Sequence, residues 1–316
     1  MNEFNLIKQY FTRVTHHTDL SVGDDAALVS VSAGMQLVIS SDMLVAGTHF
    51  FHDAAPHDIG WKALAVNVSD MAAMGANPKW VTLAIALPEV KDAWLSEFSH
   101  GFFTCADAFN IDLIGGDTTK GSLNISVTIM GEAPTGEALR RDGAKIDDDI
   151  WVSGQLGSAA LGLAHLQGKT SIPEDALLSC LNALHAPTPR AALGFALRGI
   201  ATSCVDISDG LLADLGHILT ASNCGATIDL EKIPCIEWLK SDLDNPQFQA
   251  AILAGGDDYE LCFTAPKFKR DEINALCKQL NVPINHIGSI RMAVGLQADY
   301  KNNQITLLKH GFKHFD

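Results

Sequence analysis

The sequence predicts an α/β (α+β) protein of two domains, and three observations carry that expectation. Helical-period segments alternate with short apolar strands in both halves, the pattern of mixed helix and sheet layers. A polar, glycine-bearing stretch from Pro134 to Asp149 separates the halves and reads as a domain boundary, giving domains 1–138 and 139–316. With 316 residues, 47% of them hydrophobic and 19% charged, the chain can fill two cores of ordinary size.

In chain order, Phe4, Ile7, Phe11 and Val14 share one helical face. A Gly23-Asp24-Asp25 turn follows. A strand is expected over 36–40, ending at Ser41-Asp42. Residues 56–74 read as a long helix, with Ile59, Ala63, Val66, Asp70 and Met74 at helical spacing. Gly75 and Asn77-Pro78 stop it. A continuous apolar strand is expected over 80–87, a helix over 89–109, and a short strand over 111–114 that runs into Gly115-Gly116-Asp117. Residues 123–130 alternate as a strand. The second half restarts with a strand at 150–152 and a small-residue helix after Gly154 and Gly157. A further helix begins after Val205-Asp206-Ile207-Ser208, and strands are expected near 227–230 and 259–264.

The formal net charge is −15, and no Lys/Arg block appears, which argues against a nucleic-acid partner. Apolar runs fall short of the ~20 residues needed to span a bilayer, and no secretory signal pattern opens the chain, so no membrane is expected and a cytoplasmic protein is. The seven cysteines are scattered and include no CxxC pair, which fits reduced thiols.

Six acidic spots adjoin apolar strands or glycine turns: Asp24-Asp25, Asp42, Asp70, Asp117, Asp206 with Asp209, and Asp257-Asp258. Each alone has two readings, a turn residue or a cation ligand. Asp70 stands apart because it lies inside an apolar helix, where an unpartnered carboxylate is costly. Together the six suit phosphoryl transfer, in which magnesium held by carboxylates lets two anions meet. Zinc is disfavoured, because no Cys/His cluster has ligand spacing. No phosphate-binding G-x-x-x-x-G-K-[ST] loop occurs, and Gly154-Gln155-Leu156-Gly157 does not complete G-x-G-x-x-G. Ser208 reads equally as a helix N-cap or as part of a phosphate-facing helix start. A non-catalytic calcium-binding protein is the rival of another class, although no EF-hand loop is present.

Six motifs carry a resemblance, in order and over nearly the whole chain. They are Val22-Gly23-Asp24-Asp25-Ala26-Ala27, Ile39-Ser40-Ser41-Asp42, the run Lys62 to Ala76, Gly115-Gly116-Asp117-Thr118-Thr119, Asp206-Ile207-Ser208-Asp209-Gly210-Leu211 and Gly256-Asp257-Asp258-Tyr259-Glu260-Leu261. In this combination the chain resembles the thiamine-monophosphate kinases. The resemblance implies a two-domain aminoimidazole-ribonucleotide-synthetase-like fold, usually a homodimer whose N-terminal strands pair across the interface. It implies ATP and Mg2+ as co-substrate and cofactor, thiamine monophosphate as acceptor, and direct attack of the acceptor phosphate on the γ-phosphorus.

The resemblance also implies residue roles. Asp25, Ser40, Ser41, Asp42, Asp70, Asp117, Asp206 and Asp209 match the metal-binding set, with Asp42, Asp70, Asp117 and Asp209 the catalytic carboxylates. Gly116, Asp117, Arg141 and Ser208 match nucleotide contacts. His49, Glu260 and Phe312 match contacts to thiamine phosphate. Where the family often carries a tyrosine near the ATP base, this chain reads Phe98-Ser99-His100-Gly101, with His100 in that place.

Overall fold

A computed structural model describes residues 3–305 and 311. The chain divides into two compact units: Met1–Met71 with Ala76–Gly136, and Ala72–Gly75 with Glu137–Asp316.

The first unit contains α1 (Glu3–Tyr10), β1 (Met35–Val45), α2 (Pro56–Ala73), β2 (Asn77–Leu87), α3 (Asp92–Phe109), β3 (Asp112–Lys120) and β4 (Asn124–Pro134). Its four strands lie in the order β1-β4-β2-β3. The β2–α3–β3 crossover makes the one parallel pair, and the other two pairs are antiparallel. Side chains alternate across the sheet. Ile125, Val127 and Ile129 of β4 and Leu83, Ile85 and Leu87 of β2 are buried. Helix α2 is apolar on nearly every side, as a fully covered helix should be, with Leu64, Ala65, Val68 and Met71 buried. It crosses α3 at two glycines. A Cβ on Gly60 would lie 2.1 Å from the Phe98 carbonyl oxygen, and one on Gly101 would lie 1.9 Å from that of His57. Nothing larger than glycine lets these backbones approach so closely.

The second unit contains β5 (Asp149–Ser153), α4 (Ser158–Leu166), α5 (Glu174–His185), α6 (Ala191–Ala196), β6 (Ser203–Asp206), α7 (Leu211–Ser222), β7 (Gly225–Asp229), α8 (Glu237–Lys240), α9 (Pro246–Ala254), β8 (Leu261–Ala265), α10 (Arg270–Leu280), β9 (Ile284–Arg291), β10 (Gly295–Tyr300) and β11 (Asn303–Gln304). Its strands run β11-β10-β7-β9-β5-β8-β6 in a mixed sheet. Both faces are covered, and the strand period divides the residues between them. Ile150, Val152 and Cys262 join the core formed with α7 and α9, while Trp151, Leu261 and Phe263 join the core formed with α6 and α10. Trp151 and Phe263 stack across the second core at 6.4 Å and 9°. Fully burying one such ring contributes about 2–3 kcal/mol.

Several strands exceed the sequence expectation, β2 and β4 among them, and two of the extensions take in candidate site residues. β1 runs to Val45, and β3 runs to Lys120, so Ser41-Asp42 and Gly115-Gly116-Asp117 lie within strands rather than at strand ends. The reason is non-local. Ser, Asp and Gly are poor strand formers, but the β4 ladder pairs β1 along its whole length, and β2 carries β3.

Among the described residues no helix is long and apolar enough to cross a membrane, and all seven cysteines are unpaired thiols.

Candidate active site

The strand period of β1 sorts its polar residues. Ser40, Asp42 and Leu44 face one side and are partly or fully buried, whereas Ile39, Ser41 and Met43 are exposed. Asp70 reaches the first face from α2, and the Ser40 hydroxyl donates to its Oδ2 at 2.5 Å. Burial pushes the Asp42 carboxyl up to about 6, with the Asp70 charge adding in the same direction. Two carboxylates and a hydroxyl therefore meet at a half-buried point. Ser41 lies on the opposite face, where its hydroxyl pairs with Thr128 Oγ1 at 2.9 Å.

A second acidic place lies at the other edge of this sheet. Asp25, Gly116 and Asp117 line a cavity of about 790 Å³ together with Val22 and Leu83. Gly116 has φ +149°, and a Cβ there would lie 1.8 Å from the Leu83 carbonyl oxygen, so the strand can be made only with glycine. Asp117 aligns with Ala84, Ser126 and Met43, one row from Asp42. Three strand spacings separate β1 from β3, about 14 Å. The structure thus brings Ser40, Asp42 and Asp70 together, and Asp25 with Gly116 and Asp117, but not the two sets. Among the described residues no group of three or more His, Cys, Asp or Glu is placed to hold a metal ion.

His49 closes the turn after β1. Its Nδ1 accepts from the Val45 N–H at 2.9 Å, and its own N–H donates to the Val45 carbonyl at 3.0 Å. His100 sits on α3, edge-on to His57 at 5.2 Å between ring centroids.

In the second unit the functional candidates gather at one end of the sheet, where β5 and β6 end and β8 begins. Asp206 is buried as the last residue of β6. Ser208 and Asp209 follow in the turn to α7. Ser208 does not cap that helix: the N-cap is Gly210, at φ +115°, and it has no side-chain cap bond. The N–H groups of this turn are satisfied from within the helix instead. Asp214 Oδ2 accepts from the N–H of Ser208, Asp209 and Gly210 at 3.0–3.1 Å. Burial pushes Asp214 up to about 7, outweighing those donors, and the Asp209 charge adds to the rise.

Glu260 is buried just before β8. Its Oε2 accepts from Arg190 Nε at 2.7 Å and from Ser153 Oγ at 2.5 Å, and its Oε1 accepts from Arg190 Nη2. Arg141 is exposed in the loop before β5, and its carbonyl accepts from Ser222 Oγ at 2.9 Å. Its neighbour Arg140 is engaged by Asp142 at 2.6 Å. Phe312 lies outside the described residues.

Residues 23–133 match the AIR synthase related protein N-terminal domain, and residues 147–300 match the AIR synthase related protein C-terminal domain. The thiamine-monophosphate kinase of Salmonella typhimurium is 44% identical over 99% of this chain and 98% of its own length. The chain belongs to the thiamine-monophosphate kinase family. The crystal structure of the Stenotrophomonas maltophilia enzyme is 46% identical, covers 94% of this chain and 95% of that one, and superposes with a TM-score of 0.85. A complex of AaThiL with AMPPCP and TMP is 30% identical over 99% of this chain and 97% of that one, with a TM-score of 0.78.

Within this family frame, three residues were missed by sequence reasoning: Ser153, Arg190 and Asp214. Asp214 left a faint signal, an acidic residue in the first turn of an expected helix. Arg190 left none, since it follows Pro-Thr-Pro in a segment without periodicity.

Proposed function

We infer that this chain transfers the γ-phosphoryl group of ATP to the phosphate of thiamine monophosphate, giving thiamine diphosphate and ADP, the final step of thiamine diphosphate formation. Full-length similarity to a relative complexed with AMPPCP and TMP carries the reading. The acceptor phosphate is anionic at neutral pH, so its oxygen can form the new P–O bond without a general base, while the bond to the β-phosphate oxygen breaks.

Magnesium is the cation we propose. Its preference for oxygen donors, with several waters retained, fits the Ser40, Asp42 and Asp70 grouping, where two carboxylates repel each other. Asp25 and Asp117 in the first unit, and Asp206 and Asp209 in the second, supply further hard oxygen donors, and Ser41 lies beside Asp42 on the other face. When bound, magnesium neutralises charge on the phosphates. The chain's own residues bind and orient: Asp42, Asp70, Asp117 and Asp209 as the catalytic carboxylates, and Gly116, Asp117, Arg141 and Ser208 toward the nucleotide. Arg141 suits a phosphate through its fork of donors. His49, Glu260 and Phe312 are assigned to the thiamine substrate.

Residues 1–138 are assigned as the ATP- and metal-binding and dimerisation domain, and 139–316 as the C-terminal α/β domain of a cytoplasmic homodimer. Leu37, Ile39 and Met43 form an exposed apolar stripe on β1, which supports strand pairing with a second copy.

Incubating the purified protein with ATP, magnesium and thiamine monophosphate tests the reading. Thiamine diphosphate and ADP should appear in equal amounts. ADP without thiamine diphosphate would redirect the acceptor, and no turnover would overturn the assignment.

A further inference from the structure

We propose that Arg190 and Ser153 are positioning residues that hold the Glu260 carboxylate in the orientation it presents to thiamine monophosphate. The inference rests on the assignment of Glu260 as a substrate contact and deepens it. A glutamate side chain has three rotatable bonds, and left alone it would sample several orientations. Here each oxygen is fixed. Arg190 grips both with parallel N–H bonds from Nε and Nη2, the bidentate geometry that sets direction as well as strength.

Ser153 adds the link to the sheet. Its hydroxyl donates to Glu260 Oε2 and accepts from the Leu261 N–H at 2.9 Å, so the carboxylate is tied to the backbone of its own strand. Gly154 completes the seat. It has φ +57°, and a Cβ there would lie 1.7 Å from Glu260 Oε1. Among the described residues, Oε2 takes two donors and Oε1 one, and a carboxylate oxygen has capacity for two.

The approach to Glu260 is also held in unusual backbone geometry. Asp257 has φ +66° and Tyr259 φ +50°, both in the left-handed region that non-glycine residues seldom occupy. The Tyr259 hydroxyl donates to Asp257 Oδ1 at 3.0 Å, and main-chain bonds tie Asp257 to Ser208 and Tyr259 to Ile207. Such strain persists where the surroundings over-determine a conformation, and it concentrates at sites of function. A buried ion pair kept only for packing would need neither the second anchor on the same oxygen nor the strained approach.

The test is steady-state kinetics of Glu260→Gln, Arg190→Lys and Ser153→Ala, with KM measured separately for thiamine monophosphate and ATP and folding checked by thermal melting. Arg190→Lys keeps the positive charge and loses the fork. It should raise KM for thiamine monophosphate about tenfold or more while KM for ATP stays within about twofold, with Ser153→Ala smaller in the same direction. If Arg190→Lys does not fold, Ser153→Ala decides alone. If Glu260→Gln raises KM for thiamine monophosphate but folded Arg190→Lys and Ser153→Ala leave it unchanged, the positioning role is overturned and the Glu260 assignment stands. If Glu260→Gln leaves that KM unchanged, the Glu260 assignment falls and this inference with it. A parallel rise in both KM values would mark a merely structural pair and overturn the positioning role.

Discussion

Replacing Asp214 with Asn should change how stability depends on pH, and the direction follows from the structure. The Asp214 carboxyl is buried behind the 208–210 turn, and its folded value is about 7 against an ordinary 3.8. A group that holds its proton more tightly when folded stabilises the fold while it is protonated. That contribution is fully present below 3.8 and is lost as pH rises through about 7. The rise corresponds to about 4 kcal/mol of stability across the whole window. For a unit of this size, that is a shift in melting temperature of roughly 8–16 °C. Asn keeps an oxygen to accept from the N–H groups of residues 208–210 and cannot titrate. Thermal or urea unfolding of both proteins from pH 4.5 to 8.5 checks the point. The wild type should lose stability relative to Asp214→Asn as pH rises, and the two curves should run parallel above about pH 8. A wild type that gains on the variant with rising pH would show that the helix start and its donors win over burial, refuting the reasoning.

Three further outcomes are expected. Asp70→Asn or Asp117→Asn should lower kcat by about a hundredfold or more while the melting temperature stays close to wild type, since each removes a carboxylate proposed to hold the cation that neutralises the phosphates. Near-normal turnover in either purified variant would contradict its role. Gly116→Ala should destabilise the first unit by about 1–3 kcal/mol in urea unfolding, because its methyl would meet the Leu83 carbonyl at 1.8 Å. Ile39 is 59% exposed on β1, so on the homodimer proposed above Ile39→Lys should shift the mass in light scattering from two chains to one; a wild type that already measures as one chain would overturn that proposal.

How much of this was legible in the sequence depends on whether the deciding contacts are local. Helices α2 and α3 could be read because their apolar pattern and stop signals lie within one segment, and the structure ends them within a residue or so of expectation. Helix α10 was equally readable in principle, with Ile273, Leu276, Cys277 and Leu280 on one face, but it was passed over. Strand β9 was not readable, because its buried positions recur every third residue rather than every second. The extensions of β1 and β3 were hidden for another reason. Ser-Ser-Asp and Gly-Gly-Asp look like turns until a ladder from a distant strand holds them extended.

The same distinction explains the candidate site. The acidic motifs stood out as residues, yet their grouping did not, because strand spacing keeps Asp42 and Asp117 on opposite edges of one sheet. Asp70 joined Asp42 because a helix face and a strand face meet, something no spacing along the chain encodes. Glu260 was singled out with no partner in view. Its partner Arg190 lies 70 positions earlier and belongs to no motif. A carboxylate that the resemblance alone leaves as a bare contact proves to be buried and gripped on both oxygens. On the positioning proposed above, the motifs mark the group that faces chemistry, and what fixes its direction lies in unremarkable residues that only the fold brings near.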